Sequence, residues 1–233
     1  MKIGVIAGTP VDTRMGADYV GRHGHEVLSR ACSPSPDEQM RMQKLYPKKL
    51  TERVVLLCEE LLAEGAEGIY VNCNSMSAAV DLSYIGARLP TRRFVTPFDV
   101  YRECARKYDR VAILAANGQS LAAIERVLAE GNPGCTTFGA GLPPLVNAVE
   151  SQWDPARIVR CCGLRELLGS FRKMGCEALL LGCTHFPYLK GELAEMFSLP
   201  IIDPNARMLE LLTRPGGPEA DPRGDAEGGG RTG

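Results

Sequence analysis

The chain has 233 residues, of which 45% are hydrophobic, and its formal net charge is -1. This length is sufficient for a sizeable core in one large domain or two small ones. The near-zero charge argues against a nucleic-acid or membrane-surface role, because both call for a basic patch. No apolar run approaches the roughly 20 residues that span a bilayer, and the N-terminal segment is typical of a first strand, not a signal peptide.

Nine cysteines are distributed through apolar or helical patterns and do not form a spaced framework. This distribution is not typical of a disulfide-stapled secreted domain, so we expect a reducing, cytoplasmic location. Cys161 and Cys162 are adjacent and the chain contains no CxxC pair, which suits neither a zinc knuckle nor a redox motif. By default, each of these thiols is expected to be buried and inert.

Apolar runs alternate with segments of helical periodicity along the chain. The runs predict strands at 2–7, 68–71, 94–96, 111–115, 179–181 and 200–202. The periodic segments predict helices at 50–62, 99–108, 120–130, 154–174 and 207–212. Asp154 followed by Pro155 is a typical helix start. Short apolar strands separated by helices are typical of an α/β protein whose parallel sheet is covered on both faces.

One local pattern occurs twice in the chain. The two copies share a glycine, a glutamate and a cysteine, 110 positions apart: Gly65, Glu67 and Cys73, then Gly175, Glu177 and Cys183. Segments 2–8 and 94–97 also resemble 110–116 and 201–204, at offsets of 108 and 107. We infer two similar α/β halves, each with a cysteine at the C-terminal end of a corresponding strand, where ligands bind in open parallel sheets. Facing halves would place both cysteines across one cleft.

The expected division of the chain puts 1–97 and 200–213 in a first α/β domain and 98–199 in a second. Thr9 and Asp12 follow the first strand, and we interpret them as loop residues at the edge of the same cleft and as candidates for substrate contact. Beyond Thr213 the composition changes to glycine, proline and charge with little to bury. We therefore predict a disordered tail over 214–233.

Each repeated cysteine follows a strand and precedes a helix-like segment. We expect nearby amide groups and the positive end of the helix dipole to lower the pKa of each thiol. Two such cysteines on opposite sides of a cleft could remove a proton from one face of a carbon and return one to the other. The same helix N-termini could hold a substrate carboxylate. This is the arrangement that a cofactor-free racemase needs.

The segments VNCNSMSAA (71–79) and LLLGCTHFPYL (179–189) closely resemble the two catalytic motifs of the cofactor-independent aspartate/glutamate racemase family. The second is nearer to the glutamate racemase branch, in which a histidine follows the Cys-Thr pair. The resemblance spans about residues 1–212 and implies two Rossmann-like or flavodoxin-like parallel-sheet domains related by pseudo-twofold duplication, with the active site between them. It implies that Cys73 and Cys183 are the acid/base pair and that His185 assists Cys183.

The same resemblance implies substrate-binding residues. Asn74 and Thr184 would bind the substrate carboxylate or amino group, with Ser75 where the family usually has threonine. Three further positions depart from the family's pattern. Ala7-Gly8-Thr9 stands where glutamate racemases usually have Asp-Ser-Gly, Asn147 with Glu150 nearby where they have a glutamate, and Ala116-Asn117 where they tend to have a substrate-binding threonine. Whether Asp12 and Glu150 replace the family's auxiliary acids is left open by the sequence.

The sequence therefore predicts a cytoplasmic amino-acid racemase acting on aspartate, glutamate or a related acid. No pyridoxal-binding lysine motif or glycine-rich phosphate loop is present, so we expect no cofactor; the resemblance alone suggests a homodimer. The alternatives are a related isomerase acting on a hydantoin or maleate type of substrate, a binding protein that has lost turnover, and a thiol hydrolase with Cys183 as nucleophile and His185 as base. A zinc site formed by Cys73, Cys183 and His185 is the least favoured reading.

Overall fold

The structure is a computed structural model and describes residues 1–89 and 93–215. Its eight described strands are β1 (Lys2–Ala7), β2 (Glu26–Ala31), β3 (Gly68–Val71), β4 (Phe94–Val95), β5 (Arg110–Ala115), β6 (Thr136–Gly141), β7 (Ala178–Gly182) and β8 (Ile201–Ile202). They form two four-stranded parallel sheets in the orders β2-β1-β3-β4 and β6-β5-β7-β8. The predicted α/β fold built from two similar halves is confirmed.

Twelve helices connect these strands in the described part of the chain. They are α1 (Pro10–Arg22), α2 (Pro36–Leu45), α3 (Pro47–Ala63), α4 (Asn74–Ala79), α5 (Leu82–Arg88), α6 (Pro97–Ala105), α7 (Gly118–Gly131), α8 (Pro143–Glu150), α9 (Pro155–Cys161), α10 (Leu164–Lys173), α11 (Lys190–Met196) and α12 (Pro204–Thr213). A short 3₁₀ turn (Phe186–Leu189) precedes α11. Among the residues that the structure describes, no helix is both long enough and apolar enough to cross a membrane.

The repeated glycine and glutamate have the same structural role in both halves. Gly65 and Gly175 adopt positive φ angles of 93° and 77°, which allow the chain to leave a helix and turn into a strand. The Glu67 side chain accepts a hydrogen bond from the Lys2 backbone N–H, and Glu177 accepts the equivalent bond from Arg110. The repeat in the sequence thus reflects a repeated connection at the start of β3 and β7.

Three hydrophobic clusters hold the described residues together. One lies between the two sheets and combines residues of β1 and β5, such as Val5 and Ile113, with residues of α6, α7 and α12. The other two lie on the outer side of each sheet, under α3 to α5 in the first half and under α8 to α11 in the second. Because apolar residues of both halves share the first cluster, the cleft at the strand ends has a packed base.

Two of our sequence-based boundaries need correction. The 154–174 helix is divided into α9 and α10, because Gly163 adopts a left-handed conformation with a φ of 62° between them. Residues 200–213 do not all join the first half: β8 pairs in parallel with β7 of the second sheet, whereas α12 packs against β3 and β4 of the first. Residues 216–233 of the predicted tail lie outside the described residues.

Candidate active site

A cavity opens between the carboxyl ends of β1 and β3 in one sheet and of β5 and β7 in the other. Most of the side chains singled out from the sequence line it, together with residues of α2 and α8. The lining includes Gly8, Thr9, Asp12, Gln39, Gln43, Cys73, Asn74, Ser75, Asn117, Asn147, Glu150, Cys183, Thr184 and His185. The expected cleft with both repeated cysteines is therefore present in the structure.

Cys73 occupies the junction between β3 and α4. Its backbone is extended, with a φ of -161°, and it forms the N-terminal cap position of α4. Its Sγ lies 3.5 Å from the Ser75 hydroxyl, and Gln43 donates a hydrogen bond of 2.9 Å to that hydroxyl. A side chain of α2 therefore positions the serine that contacts the first thiol.

The pKa of Cys73 departs from our expectation of a lowered value. Burial removes the thiol from water and raises its pKa well above the usual range, and the nearby Asp12 carboxylate raises it further. The bond to Ser75 and the Met76 backbone N–H lower it by less. At neutral pH Cys73 is thus a protonated thiol, suited to donate a proton.

Cys183 has a different set of neighbours. Its Sγ lies 3.5 Å from Nδ1 of His185, and Nε2 of the same ring lies 2.8 Å from Glu150 Oε1. Burial alone would lower the pKa of His185, but its interactions with Asp12, Cys183 and Glu150 outweigh burial and raise it well above its usual value. The protonated imidazole thus lies between the Cys183 sulfur and the Glu150 carboxylate. The two halves thus present one neutral thiol and one thiol paired with a cation.

Glu150 connects this pair to the other half of the molecule. Thr9 Oγ1 donates a hydrogen bond of 2.7 Å to the same carboxylate oxygen that bonds to His185. Burial would raise the pKa of Glu150, yet the hydrogen bonds from His185 and Thr9 lower it. Glu150 therefore remains a carboxylate that holds both partners. Asn147, one turn earlier in α8, lines the cavity as well.

Thr9 lies in the connection between β1 and α1, as predicted, whereas Asp12 lies within helix α1 and not in a loop. Thr9 caps α1, and its Oγ1 accepts a hydrogen bond from the Asp12 backbone N–H. Asp12 lies in the first turn of α1, where its buried carboxylate accepts a 2.6 Å hydrogen bond from Thr184 Oγ1. Burial raises the pKa of Asp12, and attraction to protonated His185 opposes that rise. Thr9, as the cap, and Asp12, in the first turn of α1, both line the cleft.

Asn74 begins α4 and bonds to a residue that we did not predict. Tyr101 of α6 is fully buried, and its hydroxyl lies 2.7 Å from Asn74 Oδ1 and 3.2 Å from the Leu181 carbonyl oxygen. Nδ2 of Asn74 is buried without a hydrogen-bond partner in the described part of the protein. Tyr101 thus fixes the amide so that its N–H groups remain free for a ligand.

The predicted substrate-binding residues differ in which of their polar side-chain atoms already form hydrogen bonds within the protein. Asn117 lines the cavity, but its Oδ1 accepts hydrogen bonds from the backbone and hydroxyl of Ser120 at the start of α7. Thr184 is bonded to Asp12, whereas the Asn74 amide nitrogen has no hydrogen-bond partner among the described residues.

Sequence reasoning missed Gln39, Gln43 and Tyr101. Only the helical spacing of α2 could have indicated the two glutamines.

The described residues offer no cluster of three or more histidine, cysteine, aspartate or glutamate side chains able to hold a metal ion. All nine cysteines lie within the described segments, and all are free thiols. The chemistry that this arrangement supports directly is proton transfer by two thiols, each with its own polar support.

Comparisons with known proteins point in the same direction. Residues 17–212 match the family model described as Asp/Glu/Hydantoin racemase. A glutamate racemase from Pseudomonas paraeruginosa is 30% identical over 178 residues, which cover 72% of this chain and 66% of that protein. One from Deinococcus radiodurans is 33% identical over 158 residues, which cover 64% of this chain and 51% of that protein. The matches thus span between about half and just under two thirds of the length of these two relatives.

Solved structures share the fold at low sequence identity. Picrophilus torridus aspartate racemase superposes with a TM-score of 0.69 at 14% identity, covering 91% of this chain and 92% of that chain. Glutamate racemase from Francisella tularensis, in complex with D-glutamate, gives 0.68 at 16% identity, covering 91% and 79%. These likenesses concern the arrangement of the two sheets and their helices.

Proposed function

Because the chain belongs to the Asp/Glu/Hydantoin racemase family, we propose that it is a cofactor-independent amino-acid racemase of the aspartate/glutamate type. Cys73 and Cys183 are its acid/base pair. The observation that supports this most directly is that two thiols from corresponding strand ends line one cavity. One-base enzymes do not need a second thiol there, whereas inversion at Cα needs a donor on the face opposite the acceptor.

In the proposed cycle the Cys183 thiolate, held beside protonated His185, removes the α-proton from one face of the substrate. The bonding electrons of the Cα–H bond stay on the substrate as a carbanion. The protonated thiol of Cys73 then gives its proton to the opposite face. The reverse reaction starts from the product state, in which Cys73 is the thiolate and Cys183 is protonated.

The carbanion is the unstable species that the site must stabilise. Hydrogen-bond donors aimed at the substrate carboxylate would carry the charge that develops on it. The Asn74 amide nitrogen is a buried donor without a partner among the described residues, and the Tyr101 hydroxyl fixes its orientation. We assign Asn74 to that carboxylate, with Ser75 and Thr184 as further substrate-binding residues. The free state of all nine cysteines supports a reducing, cytoplasmic location.

A second candidate is a racemase acting on a cyclic ureide, as in the hydantoin type. The observation that favours it is the absence of lysine and arginine from the described lining of the cavity, where the charged groups are Asp12, Glu150 and His185. A substrate with a second carboxylate would find no lysine or arginine in that lining to pair with it. A ureide offers uncharged carbonyl oxygens instead.

The test is solvent deuterium incorporation at Cα. The protein is incubated in heavy water with L- and D-amino acids and with a hydantoin, beside the Cys73→Ser and Cys183→Ser variants. We expect exchange with inversion in the wild type and a loss of at least about 100-fold in either variant. No exchange with any acidic amino acid, despite measurable binding, would contradict the proposal.

The two variants also distinguish a thiol hydrolase. The contacts between Cys183, His185 and Glu150 resemble a nucleophile with its base and orienting carboxylate. That function predicts a covalent acyl-enzyme on Cys183 and full turnover in Cys73→Ser. Loss of turnover in both variants, without acylation, supports the two-thiol racemase.

A further inference from the structure

Helix α2 contributes a wall of the cavity that none of the sequence motifs describes. Pro36, Gln39, Met40 and Gln43 follow the spacing i, i+3, i+4 and i+7, so they share one helix face, and all four line the cavity. The two glutamines are only 4% and 2% exposed. Glutamine is rarely buried so completely without a polar partner to hold it. Their burial on this face indicates that they serve the cavity.

Gln39 presents an unsatisfied donor. Ser33 Oγ donates a 2.7 Å hydrogen bond to its Oε1, which fixes the orientation of the amide. Its Nε2 is buried and has no hydrogen-bond partner among the described residues. A buried N–H group without a partner is costly, and a ligand oxygen that accepts from it removes that cost.

Gln39 also lies close to the first thiol. A methyl group placed on Gly8 would be 3.1 Å from Gln39 Cγ and 3.2 Å from Cys73 Sγ, so the glycine keeps open the space between the two side chains. Gln43, one turn further along α2, donates to Ser75, which in turn contacts Cys73. A substrate whose α-carbon lies near Cys73 can therefore extend its side chain along α2.

We propose that Gln39 determines substrate specificity by donating a hydrogen bond from Nε2 to an oxygen at the far end of the substrate side chain. The ligand class is an α-amino acid that carries a distal carboxylate or carboxamide. This assignment rests on the proposed function for the identity of the ligand as an amino acid. Because no lysine or arginine lines the described cavity, recognition of that oxygen depends on the neutral amide.

The experiment measures equilibrium binding by calorimetry in the Cys73→Ser/Cys183→Ser background, so that turnover does not interfere. The ligands are glutamate, aspartate, glutamine and asparagine, with 2-aminobutyrate and alanine as ligands that lack a distal oxygen. Gln39→Met removes the donor at nearly constant volume. Met42→Leu, in the same helix but outside the cavity lining, is the matched control.

We expect Gln39→Met to weaken the binding of ligands with a distal oxygen by about tenfold, the usual effect of losing one hydrogen bond. Binding of 2-aminobutyrate and alanine should change less than about twofold. Gln39→Glu distinguishes ligands with a distal carboxylate from ligands with a distal carboxamide. The introduced carboxylate repels a distal carboxylate but accepts a hydrogen bond from the –NH₂ of a carboxamide. It should therefore shift preference from glutamate and aspartate towards glutamine and asparagine.

Equal weakening of all six ligands by Gln39→Met would overturn the assignment, since it would mark a structural role. So would unchanged binding of the four ligands with a distal oxygen. Failure of every amino acid to bind would overturn both this inference and the proposed function. If binding depends on Gln39 but the protein with both cysteines shows no deuterium exchange, this inference is supported and only the proposed racemase activity is contradicted.

Discussion

Thr184 Oγ1 donates a hydrogen bond of 2.6 Å to Asp12 Oδ1, although the two residues are 172 positions apart. Thr184 follows β7 of the second sheet, and Asp12 lies in α1, which follows β1 of the first. Asn72 Nδ2 also donates to the Asp12 backbone carbonyl, at 3.0 Å. Asp12 is thus a fixed, buried carboxylate between the two halves, near both Cys73 and His185.

The first prediction concerns the effect of Asp12 on Cys73. Asp12→Asn keeps an oxygen that accepts from Thr184 but removes the negative charge that, after burial, raises the Cys73 pKa most. We therefore expect alkylation of Cys73 by iodoacetamide to begin at a lower pH in the variant, measured peptide by peptide with mass spectrometry. Cys58, whose burial raises its pKa to about 12, is the internal control. Labelling of Cys58 at the same pH would indicate unfolding, and an unchanged Cys73 profile would contradict the prediction.

Glu150→Gln should change the pH dependence of activity. In the wild type, attraction and hydrogen bonds overcome burial and hold the His185 pKa above its ordinary value, so the imidazolium persists to higher pH. Glutamine keeps a hydrogen-bonding oxygen but loses the charge, so His185 should lose its proton at lower pH. The alkaline limb of the kcat/KM profile should then move to lower pH, in measurements of racemisation. An alkaline limb at the same pH in both proteins would exclude His185 as its origin.

The same variant gives a stability prediction. The raised pKa of His185 stabilises the fold, and this contribution is complete below the unfolded-state pKa of about 6.5. The lowered pKa of Glu150 also stabilises the fold, and this contribution is complete above the unfolded-state pKa of about 4.3. Both groups are charged between these limits, and the benefit is lost as the pH rises through the folded pKa of His185. Denaturant unfolding should therefore show the largest loss from Glu150→Gln at about pH 5 to 6 and a smaller loss at strongly alkaline pH. A loss that does not vary with pH would indicate that packing alone is affected.

Tyr101→Phe tests the orientation of Asn74. The variant leaves Asn74 Oδ1 without its donor, so the free energy of unfolding should fall by about 1–3 kcal/mol. The freed amide should also bind substrate less well, raising KM by about tenfold. Tyr70→Phe is the matched control, because the fully buried Tyr70 hydroxyl donates to Asn205 Oδ1 at 2.8 Å and does not line the cavity. A similar rise in KM for both variants would assign the effect to general destabilisation.

Gly16→Ala tests the contact between α1 and the end of β3. A Cβ at Gly16 would lie 2.7 Å from Nδ2 of the buried Asn72 side chain, so α1 must shift. We expect a loss of about 1–3 kcal/mol in the free energy of unfolding, together with lower activity as Asp12 moves. Gly169→Ala in α10 meets no atom within 4 Å and should gain about 0.5–1 kcal/mol from helix propensity. Equal stability changes in the two variants would contradict the tight contact.

The strands that were predicted from the sequence are those with a continuous apolar pattern. β1, β3, β5 and β7 are buried on both faces, so their sequences are unbroken apolar runs between turn signals. β2 and β6 were missed because these edge strands are half exposed and contain polar residues such as Arg30 and Thr136, whereas the two-residue edge strands β4 and β8 are wholly apolar. The period of the hydrophobic pattern is weak at a sheet edge.

The part of the candidate site that was predicted consists of residues in the two motifs and of Thr9, Asp12 and Asn117, which follow other strands. Cys73 and Cys183 line one cavity as expected, because the ends of parallel strands meet at one edge of each sheet. Gln39 and Tyr101 could not be predicted from a motif. Their roles depend on contacts of α2 and α6 with residues that are distant in the sequence. The raised pKa of Cys73 was missed for the same reason: burial outweighs the helix terminus, and a local pattern does not report burial.

Two polar contacts join the walls of the cleft: Thr9 with Glu150, and Thr184 with Asp12. If the cleft widens to admit a ligand, contacts between its walls must loosen, and the ligand's polar groups can take over part of their hydrogen bonding. Binding would then be largely an exchange of hydrogen bonds within the protein for hydrogen bonds to the ligand. The net enthalpy of association would be small, and the affinity would depend on how many of the hydrogen bonds lost between the walls are replaced by hydrogen bonds to the ligand.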